Sequence, residues 1–566
     1  MDLESASAKE IEESKGAQAD SLESSSNHTQ VISNHRVDWN ITRKLHRILA
    51  KYKPLWIFSI WLLLTAYFIA SLVLRLKTQL SDILPFIFLY VFISLKMLFR
   101  FTGTRYISRP LLLASDWTGN MLMRLPRLAR YIGSVAILLA IILTVSLSLP
   151  NNANGRRIDR MQSFLGICAI ILLLTVTSKN PRKIHWHTVI IGLLLQFCLG
   201  CIVIKTQWGN SLFTWLATSA SSLLEFSRYG AKFLFGDDLG SASFIAMSIF
   251  PAIIFFASFV QMVYYLGGIQ WMLRHLGRAF QWLLDTSGAE SIVAAASPFL
   301  GQSENALLVK DYLPHMTKSE IHTCMTAGFA TVSGSTLQAY ISLGVDPKNI
   351  ITACIMSIPC SLALSKIRYP ETEEPLTRGK IVEPPRSTEE VNVVHAIGNG
   401  AAVGMNLSLL IAANLIAVIS LVNLVDFLLT WFGQFVSIQN LTLELILGYV
   451  LYPYAWLLGV PSADVTQVAE LLGLKFVANE FVAYQHLNSS TDGGKVLREQ
   501  LSPRALAIAE FALCGFGNLG SIAQQIGSLG ALAPTRKAEI SRLALSACIT
   551  GAIATTLTAA IISMVM

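Results

Sequence analysis

The stretch ESIVAAASPFLGQSENALLVKDYL (290–313) places a carboxylate, Glu304, in the middle of an apolar run. The stretch DVTQVAELLGLKFVANEFVAYQHL (464–487) repeats the arrangement around Glu480. A charged side chain at the centre of a bilayer costs roughly 2.5–3.5 kcal/mol or more, so it usually faces a cavity, a partner or a transported solute. The two stretches therefore indicate a polar site inside a membrane protein.

Each stretch is followed by a glycine-rich apolar segment, GFATVSGS (328–335) after the first and GFGNLGS (515–521) after the second. The chain thus contains an internal repeat of interrupted apolar segments. Many secondary transporters build their substrate site at the midplane from repeated broken helices. The pattern favours a transporter.

The composition agrees with this interpretation. The chain has 566 residues, of which 53% are hydrophobic and only 14% are charged, whereas soluble domains carry about 25% charged residues. The formal net charge of +8 does not indicate nucleic acid as a partner, because the basic residues lie mostly in loops between apolar runs. The partner that the composition predicts is a lipid bilayer.

We predict an all-α polytopic protein with about eleven transmembrane helices, two re-entrant helical hairpins and an interfacial amphipathic helix near 211–236. Basic residues at 43–53 precede the first span and predict a cytoplasmic N-terminus, which leaves the C-terminus extracellular. The predicted spans lie near 54–75, 83–99, 131–149, 162–178, 187–204, 243–265, 322–345, 350–366, 400–425, 505–533 and 543–565.

The segments 290–313 and 464–486 each have two short apolar arms around a polar break. An arm of about ten helical residues reaches about 15 Å, half of the hydrocarbon thickness. Each segment is therefore predicted to be a re-entrant hairpin, and the loop charges place the two hairpins on opposite faces. Opposite entry is the expectation for inverted repeats.

Five regions follow from this topology. We predict a disordered cytoplasmic N-terminus, an extension of three spans, a scaffold with the interfacial helix, a first transport repeat and a second transport repeat. They cover residues 1–45, 46–150, 151–270, 271–399 and 400–566, respectively.

Four motifs resemble those of the concentrative nucleoside transporter family. GLKFVANEFVAY (473–484) matches in full the family pattern [GA]-x-K-x-x-x-N-E-F-V-A-[YFM], and GQSENALLVKDYLPHMTKSE (301–320) is similar to the first hairpin. ALCGFGNLGS (512–521) resembles the second unwound helix, and PYAWLLGVPSAD (453–464) is also similar. The likeness extends from Thr188 to the C-terminus, and the three extra N-terminal spans resemble those of animal members.

The resemblance implies a nucleoside site. Gln302 and Glu304 would bind the base edge, since an amide donates and accepts while a carboxylate accepts. Glu480 would anchor the ribose hydroxyls through charge-assisted hydrogen bonds. The complete predicted set is Gln302, Ser303, Glu304, Glu480, Phe516, Asn518 and Ser521, supported by Gly301 and Asn479. An alternative is that the two carboxylates only pair with Lys310, Lys475 or backbone amides.

The resemblance also implies a sodium site between the first hairpin tip and the helix that follows. The matching residues are Ser297, Leu300, Thr331 and Val332, which offer the oxygen ligands that a hard cation prefers. The chain has Ser297 where the family is expected to have asparagine, which leaves proton coupling through Glu304 as the rival.

The predicted function is import of nucleosides, with purines and pyrimidines both possible, by cation symport and alternating access. The resemblance implies a homotrimer in the plasma membrane, with no cofactor besides the coupling ion. Alternatives are a proton-coupled symporter, a carrier of nucleobases or nucleoside-like metabolites, and a transport-inactive nutrient receptor. The sequence carries no phosphate-binding loop and no nucleophile–base pair, so neither an ATP-driven pump nor an enzyme is predicted.

Overall fold

The computed structural model describes most of the chain after residue 126. The described residues are 59, 61–73, 87, 90, 94, 127–148, 150, 151, 155–240, 245–310, 312–379, 390–438, 441–489 and 496–566, with some helical side chains excepted. The predicted N-terminal region 1–45 lies outside them. The contacts divide the chain into two units, Met1–Thr118 and Gly119–Met566.

The first unit contains the apolar helix Trp61–Val73, which lies within the predicted span 54–75. Tyr90 stacks on Phe68 with ring centroids 4.0 Å apart, and its hydroxyl donates to Thr65 Oγ1 over 3.1 Å. Tyr90 belongs to the predicted span 83–99, most of which lies outside the described residues.

The described part of the second unit is helical almost throughout. Its helices before the first hairpin are Arg127–Ser148, Arg157–Val176, Trp186–Lys205, Gln207–Glu225, Ser227–Gly240, Ile245–Tyr265 and Gly268–Leu284. Its later helices include Pro347–Arg368, Val393–Phe435 (the long helix), Leu443–Leu457, Leu497–Gln500 and Lys537–Val565 (the terminal helix). Four short 3₁₀ turns lie at Pro181–Lys183, Leu313–His315, Gly334–Thr336 and Pro534–Arg536.

Among the described residues, five segments are helical, long and apolar enough to cross a membrane. The helices Ile249–Tyr265 and Gly268–Leu284 form one further candidate span, bent by 80°. The predicted number of about eleven spans stays a prediction. The five segments are Arg157–Val176, Trp186–Lys205, Pro347–Arg368, Val393–Phe435 and Pro534–Val565.

Both predicted hairpins consist of two helical arms. Hairpin 1 is formed by Gly288–Ala296 and Gln302–Leu308, and hairpin 2 by Val465–Val477 and Glu480–Leu487. Ser287 begins hairpin 1 with a capping box, in which its hydroxyl accepts from the backbone N–H of Glu290. Because caps satisfy the first free N–H groups of a helix, the first arm of hairpin 1 has a defined start rather than a frayed end.

The segments 322–345 and 505–533, predicted as spans, are each divided by an unwound stretch. Broken helix 1 comprises Lys318–Ala330 and Leu337–Ser342, and broken helix 2 comprises Pro503–Leu513 and Leu519–Leu532. The glycine-rich segments of the sequence coincide with the two breaks. Gly515 has φ +125, a region that side chains disfavour.

The long helix spans 43 residues and extends well beyond its predicted span 400–425. It packs closely on Ile245–Tyr265, because a Cβ at Gly400 would lie 2.6 Å from the Cα of Ser258. Asn392 extends the helix at its start by accepting from His395 N over 2.8 Å. Hydropathy locates only the apolar part of such a helix, so the prediction was too short.

Buried charges fasten hairpin 1 to the helix Pro347–Arg368. Lys366 Nζ lies 2.5 Å from Glu290 Oε1 and 3.3 Å from Glu371 Oε2. The three side chains are 12% exposed or less. Since unpaired buried charges are costly, this cluster fixes the base of hairpin 1.

Candidate substrate site

A cavity of about 310 Å³ lies where the two hairpin tips and the two breaks meet. One wall is apolar and belongs to the long helix, and the other walls are largely polar. The polar and backbone groups come from Gly301, Gln302, Ser333, Thr336, Ala478, Asn479, Glu480, Asn518, Gly520, Ser521 and Gln524, with Phe481 and Phe516 beside them. The long helix contributes Val403, Asn406, Leu407, Leu410, Ile411, Leu415 and Val418.

Glu480 is the first residue of the second arm of hairpin 2. Asn479 caps this arm, because its Oδ1 accepts from Val482 N over 2.9 Å. The cap holds the chain in an extended conformation at Asn479, and the helix then begins with Glu480 at the cavity wall. Glu480 is only 2% exposed in this structure.

Two side chains from other elements hold the Glu480 carboxylate. Tyr340 donates its hydroxyl to Glu480 Oε1 over 3.1 Å, and Asn518 Nδ2 donates to Glu480 Oε2 over 2.9 Å. A carboxylate has about four lone-pair positions, so it retains acceptor capacity for a ligand in the cavity.

Asn518 also begins the second part of broken helix 2. Its Oδ1 accepts from the backbone N–H of Ser521 over 2.8 Å. The side-chain oxygen is therefore held by the helix, and the Nδ2 group is free to donate to Glu480. Phe516 precedes it in the break, and Phe516 N donates to Thr331 O over 3.4 Å. The two breaks are therefore in direct contact behind the cavity.

Gln302, a residue of hairpin 1, lines the cavity. It is 4% exposed, and its Nε2 donates to Gln524 Oε1 over 2.9 Å. Its Oε1 is buried and has no hydrogen-bond partner among the described residues. Ser303 and Glu304 belong to the same helical arm, but their side chains lie outside the described residues.

The alternative drawn from the sequence is that the carboxylates only pair with lysines or backbone amides, and Lys475 is one of the lysines it names. Lys475 is fully buried and donates to Ala512 O over 2.6 Å and to Thr555 Oγ1 over 2.8 Å. It thereby joins hairpin 2 to broken helix 2 and the terminal helix, while Glu480 bonds to Tyr340 and Asn518 instead.

Two of the four residues predicted to hold sodium, Ser297 and Thr331, are in contact. Ser297, Leu300, Thr331 and Val332 are all 5% exposed or less, and Thr331 Oγ1 donates to Ser297 O over 3.2 Å. Ser297 Oγ donates to Val293 O and accepts from Asn305 Nδ2. Ser297 and Thr331 thus bring buried hydroxyl and carbonyl oxygens together. Oxygens are the ligands that a hard cation prefers, so the chemistry of these two residues fits sodium.

Sequence reasoning missed several residues that the structure places at the cavity or against its carboxylate, among them Tyr340 and Gln524. Tyr340 contacts Glu480 across 140 positions of sequence, and no local spacing predicts such a contact. Gln524 lies three residues after Ser521 on one helix. Positions i and i+3 share a helix face, so that spacing would have identified it.

Comparison with known proteins gives matches along most of the second unit. Residues 349–563 match the family described as "Na+ dependent nucleoside transporter C-terminus", and residues 165–238 match "Na+ dependent nucleoside transporter N-terminus". Residues 246–346 match a family described as "Nucleoside recognition".

Curated relatives have similar sequences. Solute carrier family 28 member 3 of Eptatretus stoutii is 40% identical over 434 residues, which cover 75% of this chain and 63% of the relative. Sodium/nucleoside cotransporter 2 of Rattus norvegicus is 41% identical over 407 residues, covering 70% of this chain and 62% of the relative. The chain thus spans less than two thirds of the length of these relatives.

Solved structures of CNTnw share the fold. One in an inward-facing substrate-bound state is 32% identical with a TM-score of 0.67, and covers 72% of this chain and 97% of that chain. A variant of the same protein in an outward-facing state is also 32% identical, with a TM-score of 0.69. That match covers 72% of this chain and 99% of the variant's chain. That fold therefore exists in both facing states.

Proposed function

Because the chain belongs to the family of sodium-dependent, or concentrative, nucleoside transporters, we propose that it imports nucleosides by sodium symport. The observation that carries the proposal is the buried Glu480 in the wall of a cavity where two hairpin tips and two helix breaks supply polar and aromatic groups opposite the apolar long helix. The volume of about 310 Å³ lies at the lower end of the roughly 300–1,000 Å³ typical of small-molecule sites.

The chemistry of the cavity matches the two ends of a nucleoside. At one end, Glu480 accepts from ribose hydroxyls while Asn518 and Ser521 supply neighbouring polar groups. At the other end, Gln302 faces the base edge, as Glu304 was predicted to do from the sequence. Phe516 offers an apolar face to the flat base or the sugar, since aromatic rings favour stacked contacts.

Coupling to an ion supplies the free energy for uptake against a gradient. One charge moving through 100 mV yields about 2.3 kcal/mol, and a tenfold ion gradient adds about 1.4 kcal/mol. Their sum of about 3.7 kcal/mol supports a nucleoside gradient of several hundredfold.

Sodium is the proposed ion because Ser297, Leu300, Thr331 and Val332 offer oxygens alone, in a buried position next to the cavity. Proton coupling through Glu304 remains the alternative, favoured by Ser297 at the position where the family is expected to have asparagine. In either case the ion site and the nucleoside site share hairpin 1, so binding of one ligand orders the element that binds the other.

The proposed cycle is alternating access, in which the hairpins and broken helices carry the site from one face to the other. The protein is proposed to act as a homotrimer in the plasma membrane, with its N-terminus cytoplasmic and its C-terminus extracellular. The long helix supports the assembly, because it exposes large apolar side chains such as Ile416 and Phe427, 69% and 67% exposed, for lipid or a second copy.

Uptake of labelled adenosine and uridine into cells that lack other nucleoside carriers tests the proposal. Sodium-dependent accumulation above the external concentration is the expected result, and replacement of sodium by choline removes it. Uptake that follows an inward pH gradient without sodium assigns the proton instead. Uptake of free adenine or uracil alone identifies a nucleobase carrier, and binding without uptake identifies a receptor.

A further inference from the structure

We propose that Gln524 is a positioning residue that sets the base selectivity of the carrier by holding the Gln302 amide with its oxygen available to the substrate. The inference rests on the proposed nucleoside transport and adds to it a residue that decides which base edges bind well. The class favoured is a base that presents an N–H donor, such as an exocyclic amino group, at the Gln302 end of the cavity.

The contact that carries the inference joins the two repeats. Gln302 begins the second arm of hairpin 1, and Gln524 lies in the second part of broken helix 2, one turn after Ser521. Gln302 Nε2 donates to Gln524 Oε1 over 2.9 Å, and both residues line the cavity.

This hydrogen bond determines which half of the Gln302 amide remains for a ligand. A primary amide can rotate to present either its NH₂ group or its oxygen. Because Gln524 Oε1 accepts from the nitrogen, the Gln302 oxygen is directed elsewhere and stays an acceptor. In this arrangement Gln524 holds the amide nitrogen of Gln302, and the amide oxygen is the half left without a partner.

The Gln302 oxygen lacks the partner that a purely structural amide pair would give it. Gln302 is 4% exposed, and its Oε1 has no partner within the described parts of the chain. A buried acceptor without a partner costs about 1–3 kcal/mol. An N–H group of a bound base removes that cost, whereas a base with a C–H group at the same place does not.

Adenosine and purine riboside provide a matched pair of probes. They have the same ring system and ribose, and purine riboside lacks only the 6-amino group. If the carrier reads that donor, the KM for purine riboside exceeds the KM for adenosine by about tenfold, as one neutral hydrogen bond predicts.

The test measures this KM ratio, with Vmax and the amount of carrier at the cell surface, for three variants. Gln524→Met removes the acceptor at similar volume, and the ratio falls at least threefold because the Gln302 amide can rotate. Gln524→Glu keeps an acceptor for the Gln302 nitrogen and preserves the ratio. Gln485→Met is the matched control, because Gln485 is an exposed glutamine that does not line the cavity.

An unchanged KM ratio in Gln524→Met overturns the inference, and so does an equal fall in Gln485→Met. A fall in Gln524→Glu as large as that in Gln524→Met also overturns it. If Gln524→Met does not reach the surface, Gln524→Leu replaces it. If the unmodified protein takes up adenosine but its KM ratio is near one, the inference is wrong and the proposed function still stands. Lack of uptake of any nucleoside by the unmodified protein defeats the proposed function.

Discussion

Asn518 donates its side-chain amide to the carboxylate of Glu480 over 2.9 Å, and this bond joins two helix N-termini. Glu480 is the first residue of the arm Glu480–Leu487, and Asn518 caps the helix Leu519–Leu532. Helix N-termini carry partial positive charge and favour anions. The two helix N-termini thus stabilise the buried Glu480 carboxylate in the cavity wall.

Replacing Glu480 by glutamine removes the charge and one acceptor. Charge-assisted hydrogen bonds contribute about 1.5–3 kcal/mol, so we expect uptake at low substrate concentration to fall by at least about tenfold. Labelled uridine and adenosine uptake, with surface biotinylation, measures the effect.

The matched control for this substitution is Glu470→Gln. Glu470 lies on the first arm of the same hairpin and packs against Gly448, where a Cβ would approach its Cγ to 2.7 Å. Uptake by the Glu470 variant is expected to remain near that of the unmodified protein. Near-normal uptake by Glu480→Gln would contradict the assigned role.

Replacing Tyr340 by phenylalanine deletes the hydroxyl that donates to Glu480 while keeping the ring, which packs 4.9 Å from Phe481 between centroids. Tyr340 positions the carboxylate without lining the cavity, so we expect KM to carry only part of the roughly 1.5–3 kcal/mol of a hydrogen bond to a charged group. The expected KM increase is therefore about three- to tenfold. Tyr484→Phe deletes a hydroxyl that donates to Glu510 O, away from the cavity, and should leave KM unchanged. A larger KM change in the Tyr484 variant would argue against the pairing.

Replacing Thr331 by valine removes one oxygen of the proposed sodium site at nearly constant volume. A loss of about 1 kcal/mol corresponds to a roughly fivefold rise in the sodium concentration for half-maximal uptake. Uptake at saturating sodium should recover. Titration of uridine uptake against sodium at constant ionic strength measures the shift, and an unaltered sodium curve would place the ion elsewhere.

Replacing Lys366 by methionine leaves Glu290 and Glu371 without their buried cation. Breaking such a pair typically costs about 3–5 kcal/mol, so the Tm of the purified protein in detergent should fall. The double variant Lys366→Met with Glu290→Gln should recover part of the loss, because it removes one unpaired charge. No recovery would show that Glu290 does not need the lysine.

The sequence predicted the elements of the site through local chemistry. A carboxylate in an apolar run identified both hairpin tips, and glycine-rich segments identified both breaks. Glu480, Gln302, Phe516, Asn518 and Ser521 all line one cavity, as their grouping in the prediction requires. Their roles towards a nucleoside remain proposals.

The parts that sequence reasoning missed depend on tertiary packing. Tyr340 contacts Glu480 from the other predicted repeat. A contact between residues so far apart in the sequence produces no periodic pattern of residue types from which it could be predicted. The length of the long helix was missed because hydropathy reports the hydrocarbon core, whereas the helix continues until its cap at Asn392. The sequence also did not predict that this helix forms the apolar wall of the cavity, because that contact depends on tertiary packing.

The most direct measurement is a structure of the protein determined with bound adenosine in the presence of sodium. We expect nucleoside density in the cavity between the hairpin tips, with ribose hydroxyls about 3 Å from Glu480 and the base beside Gln302. Nucleoside density at another place, or ribose turned away from Glu480, would contradict it.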